Sequence, residues 1–321
     1  MQLIEEQKDK KLSFDEIIEQ LEEKGVQFKE ISKETAKEKL MNSNFYYKIR
    51  SFRKNFPKNK DGKYINLDFF MLNDLATIDM RLRYVLIHMC LDIEHTLKTK
   101  IVKDITLDQM EDGIKVVQKF LDDKNKKSKK VIDDYYRPIS NERHPNHGLY
   151  RKYKKRIPPI WVFCELMTFG DLVAFIEFFY GYKNKPSCYA PLEKNLRYVK
   201  NIRNLTAHNS PIINEITLKN QIEFNNNTNR FLYDFLSSVD NLSKKAIRKK
   251  LKNTKIHDLC ALFYVYHTYV SSTGMKKHRY DELNKFMVRA KRNKELYKKH
   301  SNFVSVYNFF DKIIDSFTKN I

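Results

Sequence analysis

NDLATIDMRLRYVLIHMCLDIEHTLKTKIVKD, running from Asn73 to Asp104, is the stretch whose pattern decides the fold. Its apolar residues Leu75, Ile78, Leu82, Val85, Leu86, Met89, Ile93, Leu97 and Ile101 recur at intervals of three or four almost throughout. That is the spacing of one face of an α-helix, not the alternation of a strand. A helix of roughly nine turns with a continuous apolar face needs other helices to cover it. The chain on either side supplies them.

Upstream, Ser13 and Glu16 have capping-box spacing before Ile17, Ile18 and Leu21, and Gly25 is a C-terminal stop, which predicts a helix from Ser13 to Lys24. A second short helix is expected from Lys33 to Asn42. The aromatic stretch Asn44 to Phe56 reads equally as helix or strand, and Pro57 to Tyr64, with Asp61-Gly62 at its centre, reads as a basic turn. Downstream, a helix from Leu107 to about Asp123 runs into the lysine run Lys124 to Lys130, and Arg137 to Pro159 reads as a loop containing the basic run Arg151 to Arg156. Trp161 to Tyr180 reads as one helix kinked at Gly170. Glu193 to Ala207 is a further helix closed by Asn209, Ser210 and Pro211, and an Asn-rich turn at Asn225 to Asn229 leads into a helix from Arg230 to Val239.

Composition agrees with this helical reading. Only 7 Gly and 8 Pro occur in 321 residues, less than half of ordinary usage. Such a chain has few tight turns, which argues against sandwiches, propellers and nucleotide sites built on Gly-rich loops. The predicted fold class is therefore all-α. Cys90, Cys164, Cys188 and Cys260 are far apart and form no Cys-x-x-Cys pair, so they read as reduced, buried thiols. The first twenty residues are charged from Glu5 onward and lack the apolar centre of a signal peptide. The most apolar stretch, Ile160 to Tyr182, is interrupted by Glu165, Asp171 and Glu177, a poor membrane span. A cytoplasmic location and no membrane partner are expected.

One cluster of side chains is suited to chemistry. Ile202 to Pro211, IRNLTAHNSP, contains Arg203, Asn204, His208 and Asn209. An arginine can hold a phosphate while a neutral imidazole takes the proton of a ribose hydroxyl, which is RNA cleavage without a metal. Five residues along a helix turn through about 500°, roughly 140° from one face, so Arg203 and His208 converge only if the helix frays or bends. The spacing alone says little: about one Arg/His pair five to seven residues apart arises by chance in this composition. Arg83 with His88, Arg81 with His88 and Arg137 with His144 also fit. Arg83 and His88 lie within the long helix and read as packing or surface residues there. The Arg203 to Asn209 cluster differs in pairing amide side chains with Arg and His at a helix end.

This segment resembles the R-N-x-x-A-H-[NH] motif of the abortive-infection Abi-like family (AbiD/AbiF type). Three further blocks agree in order: LSFDEIIEQLEEKGV (Leu12 to Val26) followed by Asn44-Phe45-Tyr46-Tyr47, IDMRLRYVLIHMCLDIEHTLK (Ile78 to Lys98), and PPIWVFCELMTFGDL (Pro158 to Leu172). The resemblance covers about residues 11 to 217. It implies a HEPN-like helical bundle and a ribonuclease toxin of phage defence that cuts RNA without metal or other cofactor once two protomers bring their motifs together. By position, His208 would be the general base or acid and Arg203 would stabilise the charged phosphorane, with Asn204 and Asn209 orienting phosphate or imidazole. Glu94, Asp79 and Arg83 match polar positions of the family's long helix and would grip Arg203. The bland alternative is a structural helix end, with His208 bonding a carbonyl and Arg203 pairing Glu94; for Glu94, pairing with Lys98 explains it equally well. His144 and His147 flank Pro145 without a carboxylate or Cys at ligand spacing, so no metal site is read there.

The net charge is +21, and its distribution is uneven. Residues 241 to 321 hold 19 Lys plus Arg against 6 Asp plus Glu. The expected organisation is an N-terminal helical segment (1–43), a HEPN-like Abi domain (44–240) and a basic helical C-terminal extension (241–321). A strongly basic segment interleaved with tyrosines points to RNA before anionic lipid. Its candidate RNA-binding residues are Lys244, Lys245, Arg248, Lys249, Lys250, Lys252, Lys276, Lys277, Arg279, Arg289, Lys291 and Arg292. Two function classes remain: a homodimeric endoribonuclease, with a structured small RNA as a second, regulatory partner, and a HEPN-like RNA-binding protein that sequesters or scaffolds RNA without cutting it.

Overall fold

Ser13 caps the first helix, Phe14–Glu23, as its spacing predicts. Its hydroxyl accepts from the Glu16 N–H at 3.2 Å, and the Glu16 carboxylate accepts from the Ser13 N–H at 2.6 Å. Lys33–Asn42 is helical as expected. The computed structural model describes residues 11–42, 46–128, 131–183, 186–224 and 229–319. Asn44 and Phe45 of the aromatic stretch, Lys129 and Lys130 of the lysine run, and residues 225–228 of the Asn-rich turn lie outside these.

The described aromatic stretch resolves as the helix Tyr46–Phe52 followed by a 3-10 turn, Arg53–Asn55. Val26–Gln27 and Leu67–Asp68 pair in parallel, the two strands in an otherwise helical set of described elements. The all-α class is as expected. Among the described residues, no helix is long and apolar enough to cross a membrane.

The long helix spans Phe69–Thr106, starting four residues before Asn73, where the stretch read from the sequence begins. Asp68 sets its start: Oδ1 accepts from the Phe70 N–H at 2.8 Å while Oδ2 accepts from the Lys29 N–H at 2.8 Å. Phe69 and Leu72 are fully buried and extend its apolar face.

Further helix boundaries depart from the sequence reading; the motif helix, expected from Glu193, begins at Pro186. The helix expected from Leu107 begins at Lys115 and runs to Ser128. Leu107 and Met110 are exposed, and the Asp112 carboxylate accepts from the Ile114 and Lys115 N–H groups at 2.9 and 2.7 Å, capping the later start. Trp161 to Tyr180 is two helices, Ile160–Leu166 and Phe169–Tyr182. The chain breaks at Thr168, which forms a second capping box with Asp171, so Gly170 lies in the first turn of a new helix rather than at a kink. The loop expected from Arg137 to Pro159 contains the 3-10 turn Arg137–Ile139 and the helix His147–Tyr153.

Contacts group the chain into two units. The first comprises the described residues within 1–87, 202–260 and 276–321. Its core includes Leu21, Ile49, Phe52, Leu72, Ile202, Ile212, Leu232, Ile247, Leu283 and Ile313. The aromatic ring of Phe317 stacks with that of Tyr280 at 4.9 Å. Much of the basic C-terminal stretch thus packs with N-terminal residues: the Asp74 carboxylate takes one hydrogen bond from Arg289 at 2.7 Å and another from the Tyr297 hydroxyl at 3.0 Å. The second unit comprises the described residues within 88–201 and 261–275. Phe120, Phe163, Phe175 and Tyr135 cluster there, with Phe120 and Phe175 ring centres 5.0 Å apart. The Tyr266 hydroxyl donates to Asp92 at 2.9 Å.

Candidate functional site

The helix that carries the motif spans Pro186–Ala207. Its end is fixed by a left-handed residue, Asn209, at φ +53°. The Asn209 N–H donates to the Thr206 carbonyl at 3.1 Å and the Ser210 N–H to the Leu205 carbonyl at 2.8 Å. This is a Schellman motif with Asn where glycine is commonest. The His208 N–H still donates to the Asn204 carbonyl at 3.0 Å, so the chain is helical from Arg203 through His208 and the break comes after both. Over five helical residues the two side chains leave roughly 140° apart. The break anticipated at Asn209-Ser210-Pro211 is present, but it ends the helix rather than bending His208 toward Arg203.

The segment after the motif is clamped from the long helix. The buried Asp79 Oδ1 accepts from the Ile212 and Ile213 N–H groups at 2.7 and 2.9 Å, and Oδ2 accepts from Arg83 at 2.5 Å. Arg83 Nη1 also lies 3.4 Å from each of the Asn209 and Ser210 carbonyl oxygens. Burial pushes the Asp79 carboxyl up, opposed by the Ile213 amide, the Arg83 guanidinium and the Ile212 amide. Asp79 and Arg83 therefore hold the chain that leaves the motif, not the Arg203 side chain. Lys48, on the helix Tyr46–Phe52, is lowered in pKa by burial and then by Arg83, which places its charge in the same electrostatic neighbourhood.

The motif side chains are left unengaged. Arg203 Nε is buried without a hydrogen-bond partner. Among the described residues, Asn204 and His208 side chains make no hydrogen bond, and His208 and Asn209 are exposed. Glu94 lies in the second unit, where Lys98 pairs with it at 3.1 Å.

The basic candidates divide. Lys244, Lys245, Arg248, Lys249, Lys277, Lys291 and Arg292 are exposed, and Arg248 lies over the Tyr233 ring at 5.7 Å. Lys252 and Lys276 are partly buried. Arg279 pairs with Glu282 at 2.5 Å, and Arg289 is held by the buried Asp74. Burial, followed by repulsion from Lys249 and Lys219, lowers the Lys250 pKa to about 8. His144 Nδ1 accepts from the Asn146 N–H at 3.0 Å, and His147 Nδ1 lies 3.4 Å from the Ile139 carbonyl. Cys90, Cys164 and Cys260 are free and buried.

A family model described as Abi-like protein matches residues 38–214, a span that contains Asp79, Arg83, Glu94 and all of Arg203 to Asn209. No curated protein and no solved structure matches the chain. The family match covers more than half of the 321 residues and ends just past the clamped segment that follows the motif: the chain belongs to the Abi-like protein family.

Proposed function

We propose that this protein is a metal-independent, HEPN-type endoribonuclease of a phage-defence, abortive-infection system. The observation that carries the reading is Arg203, Asn204 and His208 without side-chain hydrogen bonds among the described residues, at a helix end that Asp79 and Arg83 hold in place. In RNA, the ribose 2′-hydroxyl is the built-in nucleophile. His208 takes its proton, and the 2′ oxygen attacks the adjacent phosphorus. The P–O5′ bond then breaks, the 5′ oxygen takes up a proton from an imidazolium or water, and the products end in a 2′,3′-cyclic phosphate and a 5′-hydroxyl. Arg203 stabilises the charge that develops on the phosphorane oxygens. Asn204 and Asn209 donate amide hydrogen bonds to phosphate oxygens or orient the imidazole.

The divergence of Arg203 and His208 along one helix favours a homodimer, in which the arginine of one copy and the histidine of the other meet at one phosphate. The exposed cations Lys244, Lys245, Arg248, Lys249, Lys277, Lys291 and Arg292 are the proposed seat of RNA contacts, including a structured small RNA that keeps the nuclease silent. Expression of Arg203→Ala and His208→Ala, with growth and cellular RNA integrity as readouts, tests the assignment. Both variants are expected to abolish toxicity and cleavage, whereas cleavage that persists in either sinks it. Tight, salt-sensitive RNA binding without cleavage in the unaltered protein identifies a sequestering protein instead.

A further inference from the structure

The basic turn at Pro57 to Tyr64 packs against the end of the first helix. The Tyr64 N–H donates to the Lys24 carbonyl at 2.8 Å and the Ile65 N–H to the Pro57 carbonyl at 3.0 Å. Gly25, at φ +84°, permits this approach: a Cβ there would stand 2.9 Å from the Tyr64 carbonyl oxygen. The result gathers cations from separate segments, Lys24 at the helix end, Arg50 and Arg53 on and after the helix Tyr46–Phe52, and Lys58 in the turn. Arg53, Arg50 and Lys58 all depress the Lys24 pKa, after burial, and Glu23 opposes them.

Arg53 is the anomaly in this group. It is 3% exposed, and its Nε and Nη1 are buried with no hydrogen-bond partner. Among the described residues no carboxylate pairs with Lys24, Arg50, Arg53 or Lys58. The Arg53 guanidinium carbon lies 5.8 Å from the Tyr64 ring centre, and Lys58 Nζ lies 4.9 Å from the same centre. A buried guanidinium without a counter-ion is strongly unfavourable, and a ligand that brings negative charge and several acceptor oxygens relieves it. The same segment adjoins the chain that follows the motif. Asn55 Nδ2 donates to the Ile213 carbonyl at 3.0 Å and its Oδ1 accepts from the Thr217 N–H at 3.1 Å, while Lys54 pairs with Glu215 at 2.8 Å.

We propose that Lys24, Arg50, Arg53 and Lys58 form a phosphate-binding subsite that grips the RNA backbone beside the chain that leaves the Arg203–His208 motif. The RNA identity of the ligand rests on the nuclease reading above; the phosphate chemistry rests on the cation cluster alone.

The test uses the full chain carrying His208→Ala, so that RNA is bound and not cut, with a labelled single-stranded uridine oligonucleotide titrated at several KCl concentrations. Arg53→Gln is expected to weaken Kd about tenfold and to reduce the slope of log Kd against log salt by about 0.7 for each phosphate no longer neutralised. If Arg53→Gln does not fold, the double variant Arg50→Gln/Lys58→Gln, both exposed positions, carries the same measurement. A second arm adds inorganic phosphate and follows the thermal midpoint. A rise seen in the parent and absent from the variant, with RNA affinity unchanged, assigns the subsite to a free phosphate group. Unchanged RNA affinity, salt slope and phosphate response in a folded variant overturn the proposal. Failure of the His208-bearing protein to cut RNA overturns the nuclease reading alone, because binding in the His208→Ala background is measured independently of cleavage.

Discussion

Replacing Asp79 by Asn should be among the most damaging single-atom changes in this protein. The substitution removes the negative charge facing Arg83, whose side chain is 5% exposed, and leaves a buried guanidinium without a counter-ion at a cost of about 3–5 kcal/mol. The amide can keep its one oxygen on the Ile212 and Ile213 N–H groups only by turning its NH2 toward Arg83, donor against donor, so the lower end of that range is a floor. A loss of about 4 kcal/mol is a large share of the ~5–15 kcal/mol that holds a typical protein folded. Arg83→Met alone should cost less, about 2 kcal/mol, because the Asp79 carboxyl keeps its two amide donors and can take up a proton. The double variant Asp79→Asn/Arg83→Met should lose roughly 2–3 kcal/mol less than the sum of the singles, since neither partner is then left charged and alone. Urea unfolding followed by far-UV circular dichroism measures all three, with the Asp79→Asn midpoint expected to fall by about 1 M. The single tryptophan, Trp161, lies in the other unit and is the wrong reporter. An Asp79→Asn loss under about 1 kcal/mol, or strictly additive singles, would refute the clamp.

Two further outcomes follow from the geometry. Asn209→Gly suits the left-handed φ of +53° and should leave stability within about 0.5 kcal/mol, while Asn209→Ala should cost about 1 kcal/mol; if the amide also orients phosphate, Asn209→Gly loses cleavage while the thermal midpoint stays put. Lys250 has its folded-state pKa lowered to about 8 by burial, so between pH 8 and its unfolded value near 10.5 the unfolded chain binds more protons and stability contributed by this residue rises with pH. Lys250→Met should flatten that rise in a series of denaturation midpoints across the window; an identical slope in both proteins contradicts the burial of the charge.

The sequence disclosed most where local chemistry acts alone. Ser13 and Glu16 marked a helix start, and the three-and-four spacing of Leu75 to Ile101 marked the long helix, because caps and amphipathic faces are set within a few residues. Thr168 and Asp171 carried the same capping spacing as Ser13 and Glu16, yet the apolar run around them and Gly170 suggested one kinked helix. The end of the motif helix at Ala207 was legible from Asn209, Ser210 and Pro211. What those residues could not disclose was the partner of Asp79: its acceptors reach Ile212 and Ile213, 133 and 134 residues away, a pairing fixed by tertiary packing. The +13 of residues 241–321 likewise suggested an open basic surface, but Arg289 is spent on Asp74 and Arg279 on Glu282. Arg53 gave no sequence signal at all, since a buried arginine without a counter-ion becomes visible only once its surroundings are known.

The nuclease reading meets its most direct test in the ends of the cut RNA. Purified protein incubated with RNA in excess EDTA should yield fragments with 2′,3′-cyclic phosphate and 5′-hydroxyl termini; His208 is exposed and its side chain makes no hydrogen bond among the described residues, so His208→Ala should yield none while unfolding at the same temperature. Fragments with 5′-phosphate ends, or undiminished cutting by His208→Ala, would contradict cleavage by the Arg203–His208 motif.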